Sequence, residues 1–218
     1  MNEEAGGGRV DFWFDFASTY SYLSIQRADA VAQAAGVALI WRPFLLGPIF
    51  AAQGWDTSPF KLYPAKGRFM FRDMARRAEA LGLPFDPSGQ LPVNSVHAAR
   101  LALAALETEQ GVAFCRRVSR ALWGEGKNIA SQAVLAGLAF DVGLSHDRLS
   151  ARAAEPDMKP RLRAQTEEAM ALGIFGAPSF TVARDGATEL FWGDDQLEDA
   201  LAWAETGRLA PRRTATGE

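Results

Sequence analysis

Val10-Asp11-Phe12-Trp13-Phe14-Asp15-Phe16-Ala17-Ser18-Thr19-Tyr20-Ser21-Tyr22-Leu23 joins a strand to a helix through one tight corner. Val10 to Phe16 alternates polar with apolar residues and is heavily aromatic, the pattern of a β-strand. The alternation stops at Ala17-Ser18, and from Tyr22 onward Leu23, Arg27, Ala30, Val31 and Ala34 recur at helical spacing. A strand therefore runs into a tight turn, and a helix starts at or near Ser18. A helix start presents unpaired N–H groups and the positive end of the macrodipole, so it favours an anion. The corner reads Ser18-Thr19-Tyr20-Ser21, the spacing of a Cys-x-x-Cys pair with oxygen in place of both sulfurs. Serine is also a preferred helix N-cap, so either hydroxyl serves that purpose equally well.

The 218 residues fit one large domain or two intimate ones, with 48% hydrophobic and 22% charged residues. The formal charge of −3 argues against a general nucleic-acid surface. There is no apolar run long enough to span a bilayer, and Met1-Asn2-Glu3-Glu4 lacks a secretory h-region. A cytoplasmic protein bound to neither nucleic acid nor membrane is expected. The single cysteine, Cys115, excludes dithiol redox chemistry by this chain alone and reads as a buried core residue. His97 and His146 have no ligand-like companions, so no metal site is expected.

In order, residues 1–8 read as a tail, followed by the strand, turn and helix to about Ala35, with Gly36 as the stop. Val37 to Arg42 is a second strand closed by Pro43, completing a βαβ unit that crosses over to a parallel neighbour. Phe44 to Phe60 carries the loop punctuation Gly47-Pro48, Gly54 and Ser58-Pro59. Helical patterns follow at Lys66–Leu81, from Asn94-Ser95 to about Glu107, at Gly111–Trp123, Ser131–Val142, Asp147–Ala153 and Lys159–Leu172. Strand chemistry returns at Pro178–Ala183 and Thr188–Trp192, flanking an Asp185-Gly186 turn, and a last amphipathic helix follows Asp194-Asp195. The expected fold is α/β and thioredoxin-like, with an inserted all-helical domain. Its discontinuous sheet domain takes residues 9–60 and 174–212, the insertion takes 61–173, and 213–218 form a second tail.

Two further motifs stand near the C-terminus. Gly176-Ala177-Pro178 precedes a strand, where a thioredoxin-like fold carries a cis-proline facing the corner. The backbone of the preceding residue is then free to pair with an extended ligand. Trp192-Gly193-Asp194-Asp195 opens the last helix, and Asp195 with Glu198 matches a capping box in residue type. The alternative reading has one aspartate holding a ligand ammonium group.

Taken together, Phe14-Asp15-Phe16-x-Ser18-x-Tyr20-Ser21-Tyr22-Leu23, Arg42-Pro43, Lys66-Gly67, Trp123-Gly124-Glu125-Gly126, Phe175-Gly176-Ala177-Pro178 and Trp192-Gly193-Asp194-Asp195 resemble the 2-hydroxychromene-2-carboxylate isomerases. That family is grouped with the kappa-class glutathione transferases among DsbA-like proteins. The resemblance runs from about Val10 to Trp203 and implies glutathione as cofactor. It implies Ser18 as the catalytic residue, holding the glutathione sulfur as thiolate, and Ala177 pairing beside Pro178. Trp192 and Gly193 would contact glutathione, Asp194 and Asp195 would hold its γ-glutamyl end, and Lys66 a carboxylate. Arg42 and Asn94 are candidate contacts to an aromatic substrate, with core or cap roles equally open, while Trp123–Gly126 reads as a structural turn. The implied enzyme isomerises an aromatic side-chain double bond in aromatic catabolism, as a homodimer. A kappa-like transferase or peroxidase and a redox-inactive DsbA-like binding module are the competing expectations. In one respect the chain departs from the family, because Thr19 stands where a proline usually follows the serine.

Overall fold

The computed structural model describes residues 8–55, 63–89 and 92–209. Of the expected tails, residues 1–7 and 213–218 lie outside the described residues, as does the Ser58-Pro59 punctuation; Gly8, expected in the first tail, instead leads into the sheet and accepts the Ala38 N–H at 2.8 Å.

Strand β1 (Arg9–Phe14) is central to the sheet and buried on both faces. On one face Phe12 stacks on Phe180 with ring centroids 5.1 Å apart and meets the edge of Trp41 at 5.1 Å. On the other, Trp13 turns toward Phe44 and donates its indole N–H to Thr181 Oγ1 at 2.8 Å. Covering both faces explains why aromatic residues run consecutively here where a one-sided strand would alternate. Helix α1 (Thr19–Ala34) crosses over to β2 (Ala38–Pro43), which pairs parallel to β1 with Trp13 opposite Arg42. From the far end of the chain, β3 (Ser179–Arg184) pairs antiparallel to β1 with Phe180 opposite Phe12, and β4 (Ala187–Trp192) adds outside it. The order is β2-β1-β3-β4. The hairpin turn puts Asp185 at φ 51 and Gly186 at φ 79, the left-handed pair that a two-residue turn requires.

The segment read as loop between Phe44 and Phe60 contains a short helix, α2 (Leu46–Ala52). Pro48 sits in its first turn, where a missing N–H costs nothing, and Leu46 and Ile49 are buried against Trp13 and Phe44. The helical block follows as α3 (Pro64–Ala80), α4 (Val96–Ala105), α5 (Gly111–Glu125), α6 (Gln132–Asp141), α7 (His146–Ala154) and α8 (Met158–Ala171). After β4 a 3₁₀ turn, Asp194–Gln196, leads into α9 (Leu197–Thr206). One core runs without a break from Phe12, Phe14 and Leu23 into Leu101, Phe114, Trp123 and Leu135, so sheet and helical block share their apolar interior. Cys115 is buried in it, and burial pushes its thiol pKa well up. Among the described residues no helix is long and apolar enough to cross a membrane, and no cluster of His, Cys, Asp or Glu has the makings of a metal site.

Candidate active site

β1 ends at Phe14, and the turn after it is tied from several sides. Asp15 is buried; its Oδ1 accepts the Ala17 N–H at 2.9 Å and the Ser95 hydroxyl at 2.7 Å, and its Oδ2 accepts the Leu46 N–H at 2.8 Å. Burial pushes the Asp15 carboxyl above the ordinary range, although these three bonds pull the other way. Its backbone carbonyl accepts the Ser18 N–H at 2.9 Å, and Trp123 of α5 donates to the Phe16 carbonyl at 2.8 Å. Ser18 then caps α1. In extended backbone geometry, φ −86 and ψ 125, its Oγ accepts the Ser21 N–H at 3.2 Å.

A hydroxyl has one proton to give, and Ser18 gives it to the Ala177 carbonyl at 2.7 Å. The Ala177–Pro178 peptide bond is cis, as expected of that position. The Pro178 carbonyl accepts the Gly193 N–H at 3.0 Å, which joins the proline loop to the turn that carries both aspartates. Gly193 has φ 113, a conformation L side chains rarely adopt. Gly176 lies under the Trp192 indole, where a Cβ would come within 2.3 Å of Nε1. Trp192 packs on Phe175 with ring centroids 4.9 Å apart, and about half of each side chain faces solvent.

The DSBA-like thioredoxin domain model matches residues 9–202. The chain belongs to the DsbA-like thioredoxin family. Within it, the 2-hydroxychromene-2-carboxylate isomerase of Sphingobium xenophagum is 30% identical over 190 residues, covering 87% of this chain and 94% of that one. Human glutathione S-transferase kappa 1 is 28% identical over 201 residues, covering 87% of each. A solved 2-hydroxychromene-2-carboxylate isomerase superposes with a TM-score of 0.71 at 26% identity, covering 87% of this chain and 90% of that one. The resemblance drawn from the six motifs and the thioredoxin-like fold are thus both shown.

For this DsbA-like protein the remaining expected site residues fall into two groups. Asp194 and Asp195 lie on the Gly193 turn but differ sharply. Asp194 is 6% exposed and its Oδ1 accepts from Ser24 Oγ at 2.8 Å and Arg27 Nε at 3.1 Å, whereas Asp195 is exposed. The capping box does not form: α9 starts only at Leu197, and Glu198 pairs with Arg27. Lys66 is exposed in the first turn of α3, with its ammonium 5.0 Å from the Tyr63 ring centre. Seven residues on, and so on the same face of α3, Asp73 accepts the Tyr20 hydroxyl at 3.1 Å, which brings that face to the start of α1. Arg42 is engaged elsewhere, bonded to Asp11 at 2.9 Å and 5.4 Å over the Trp13 ring. Asn94 is exposed and accepts the Val96 N–H at 3.2 Å, beside a cavity of about 120 Å³ lined by Pro92, Leu122 and Ile129.

Sequence spacing does not reveal the roles of Asp15, Tyr20 and Arg27. Asp15 has a visible signal, a charged residue within Phe-Trp-Phe-Asp-Phe. Tyr20 has the Asp73–Arg77 ion pair, 2.7 Å, behind its hydroxyl; burial first, and then Asp73, push its pKa up to about 12. Arg27 stands in the helical repeat with Leu23, Ala30 and Val31, and that spacing gives its charge no partner; the structure half-buries it against Asp194. Thr19, in the family's proline position, is buried, and neither its hydroxyl nor that of Ser21 has a partner among the described residues.

Proposed function

We propose that this protein is a glutathione-dependent isomerase of the 2-hydroxychromene-2-carboxylate type, acting on an aromatic side-chain double bond. The observation that carries the reading is the Ser18 hydroxyl, capping a helix that has no acid in its first turn and bonded to the carbonyl before a cis-proline. The groups suit the tripeptide: a hydroxyl at a helix start for a thiolate, a backbone for a cysteinyl unit, an exposed acid at Asp195 for an ammonium and Lys66 for a carboxylate. Glutathione supplies a thiolate, whose addition to a conjugated C=C bond leaves a rotatable single bond and whose elimination restores the double bond, with no net oxidation.

The chain's own residues bind and orient. Ser18 turns its proton from the Ala177 carbonyl to the sulfur, and the macrodipole of α1 favours the anionic form. That rotation leaves the Ala177 carbonyl open to an N–H from the ligand backbone. Ser18 is not the nucleophile: it donates to a carbonyl and has no base to activate it, and a thiolate attacks better than a hydroxyl. The exposed faces of Phe175 and Trp192 offer an apolar wall for an aromatic ring.

Glutathione titration of the wild type and Ser18→Ala tests this. Loss of one hydrogen bond to a charged group, about 1.5–3 kcal/mol, should weaken thiolate binding roughly ten- to hundredfold. A hydroxychromene acid should then show a glutathione-dependent absorbance change. Accumulation of a stable adduct would instead support the kappa-like transferase, and failure to bind glutathione would leave the peptide-binding module.

A further inference from the structure

Two adjacent carboxylates on one turn invite the assumption that they act as a pair. Their surroundings say otherwise. Asp194 is buried, and its Oδ1 already accepts from both Ser24 and Arg27. The same guanidinium donates from Nη2 to the Asp194 backbone carbonyl at 2.6 Å and pairs with Glu198 one turn further on. A buried carboxylate held this way has its charge answered inside the protein, and a second cation has little to gain there. Asp195, by contrast, is exposed. Its Oδ1 folds back over Gly193, so that a Cβ at that glycine would lie 2.6 Å away. It also adds to the field felt by Tyr20 and Arg77.

We infer that Arg27, assisted by Ser24, is a positioning residue: it pins Asp194 to α1 and thereby presents Asp195 alone to the ammonium group of a γ-glutamyl thiol. The inference rests on the glutathione reading above. Its physical content lies in the helix. Ser18 caps α1, Ser24 and Arg27 lie on it, and the latter two are three residues apart on one face. At 1.5 Å rise per residue, the Ser18 cap and the Ser24 anchor are separated by about 9 Å along a rigid rod. The spacing between sulfur site and ammonium site is therefore set by α1 and does not depend on the loop that carries the aspartates. Arginine suits the task because its planar fork serves a side-chain oxygen, a backbone carbonyl and a second carboxylate at once, which a lysine ammonium cannot do in one geometry.

The test compares the wild type with Arg27→Gln, Arg27→Lys and Ser24→Ala, using glutathione and cysteinylglycine, the same thiol without its γ-glutamyl unit. Arg27→Gln should weaken glutathione at least tenfold while leaving cysteinylglycine within twofold. Arg27→Lys should recover only part of the loss, and Ser24→Ala should cost about threefold for glutathione alone. Amide exchange at Asp194–Gln196 should speed up at least tenfold in Arg27→Gln, with β1 amides unchanged. Equal loss of both thiols, or an unchanged ratio between them, overturns the inference, as does unchanged exchange at the turn. Should Arg27→Gln fail to fold, the same ratio and exchange in Ser24→Ala decide. A wild type that binds neither thiol refutes the glutathione reading and the selectivity role with it, while exchange still decides whether Arg27 holds the turn.

Discussion

The start of α1 and its middle are built from different interactions. At Ser18 the contacts are neutral: a hydroxyl to a carbonyl, backbone amides to Ser18 and Asp15, and an indole N–H to the Phe16 carbonyl. Nine residues on, at Arg27, they are charged, joining Asp194 and Glu198. The contrast matters because the first turn of α1 contains no acid, so the positive end of its dipole is left for an incoming anion. Charges that could compete for that end are paired elsewhere, with Asp73 on Arg76 and Arg77 and Asp194 on Arg27. Two acids near the corner are not paired this way: Asp195 is exposed and felt at Tyr20, and Asp15, within the corner itself, is pushed toward its neutral form by burial.

The largest effect should therefore come from Asp15. Asp15→Ala strands two buried donors, from Leu46 and Ser95, and a part-buried one from Ala17, and should cost on the order of 3 kcal/mol in denaturant unfolding. Asp15→Asn isolates the charge. Because the folded pKa is raised, the folded protein binds more protons than the unfolded chain. The contribution of Asp15 is thus full below an unfolded pKa of about 3.9 and declines as pH rises through the folded value. The stability of wild type minus Asp15→Asn should fall from pH 4 toward pH 8. A flat difference would mean that this carboxyl is as solvated as any surface acid, and the neutral corner would not be neutral.

A thiol placed at the corner probes the field directly. Ser18→Cys should carry a thiol at least about one unit below the unperturbed 8.5. Cys115 supplies the internal contrast, being buried with its thiol pushed up, so alkylation below pH 8 should report the introduced group alone. Titration to 8.5 or above would show that the start of α1 has no anion-stabilising field. The glutathione reading would then lose its physical basis to the peptide-binding one.

What the sequence made legible divides along the same line. The strand before Ser18, the helix after it, the Asp185-Gly186 hairpin and the cis-proline position are all written in adjacent residues or in periods of two and 3.6. The fixings of the site are not local. Ser95 reads as an N-cap and does begin a helix, yet its hydroxyl is spent on Asp15, 80 residues earlier. Asp195 and Glu198 have the residue types of a capping box, but Glu198 is drawn to Arg27, 171 residues away in sequence, and the box has no second member. Helix α2 was hidden because seven residues give too short a run to show a period, and its buried side rests on Trp13 and Phe44. Hydrogen-bond partners chosen by tertiary packing leave no mark in spacing, so Asp194 and Asp195 look alike in the sequence and are opposite in the structure.

The smallest effect is expected from Glu198→Gln, on the charged side. The Glu198 side chain is 53% exposed, so its pairing with Arg27 is formed largely in water and screened by salt. Arg27 keeps Asp194 and the Asp194 carbonyl when Glu198 is neutralised. The glutamine also retains an oxygen able to accept from the guanidinium. Unfolding free energy should therefore drop by no more than about 0.5 kcal/mol at low salt, with the difference shrinking further toward 1 M salt, where the Debye length is about 3 Å. A loss above about 1.5 kcal/mol that persists in high salt would mean that Glu198 works as part of a buried network. The anchoring of the Asp194–Gln196 turn would then depend on the outer acid as much as on Arg27, and the middle of α1 would be as tightly determined as its neutral start.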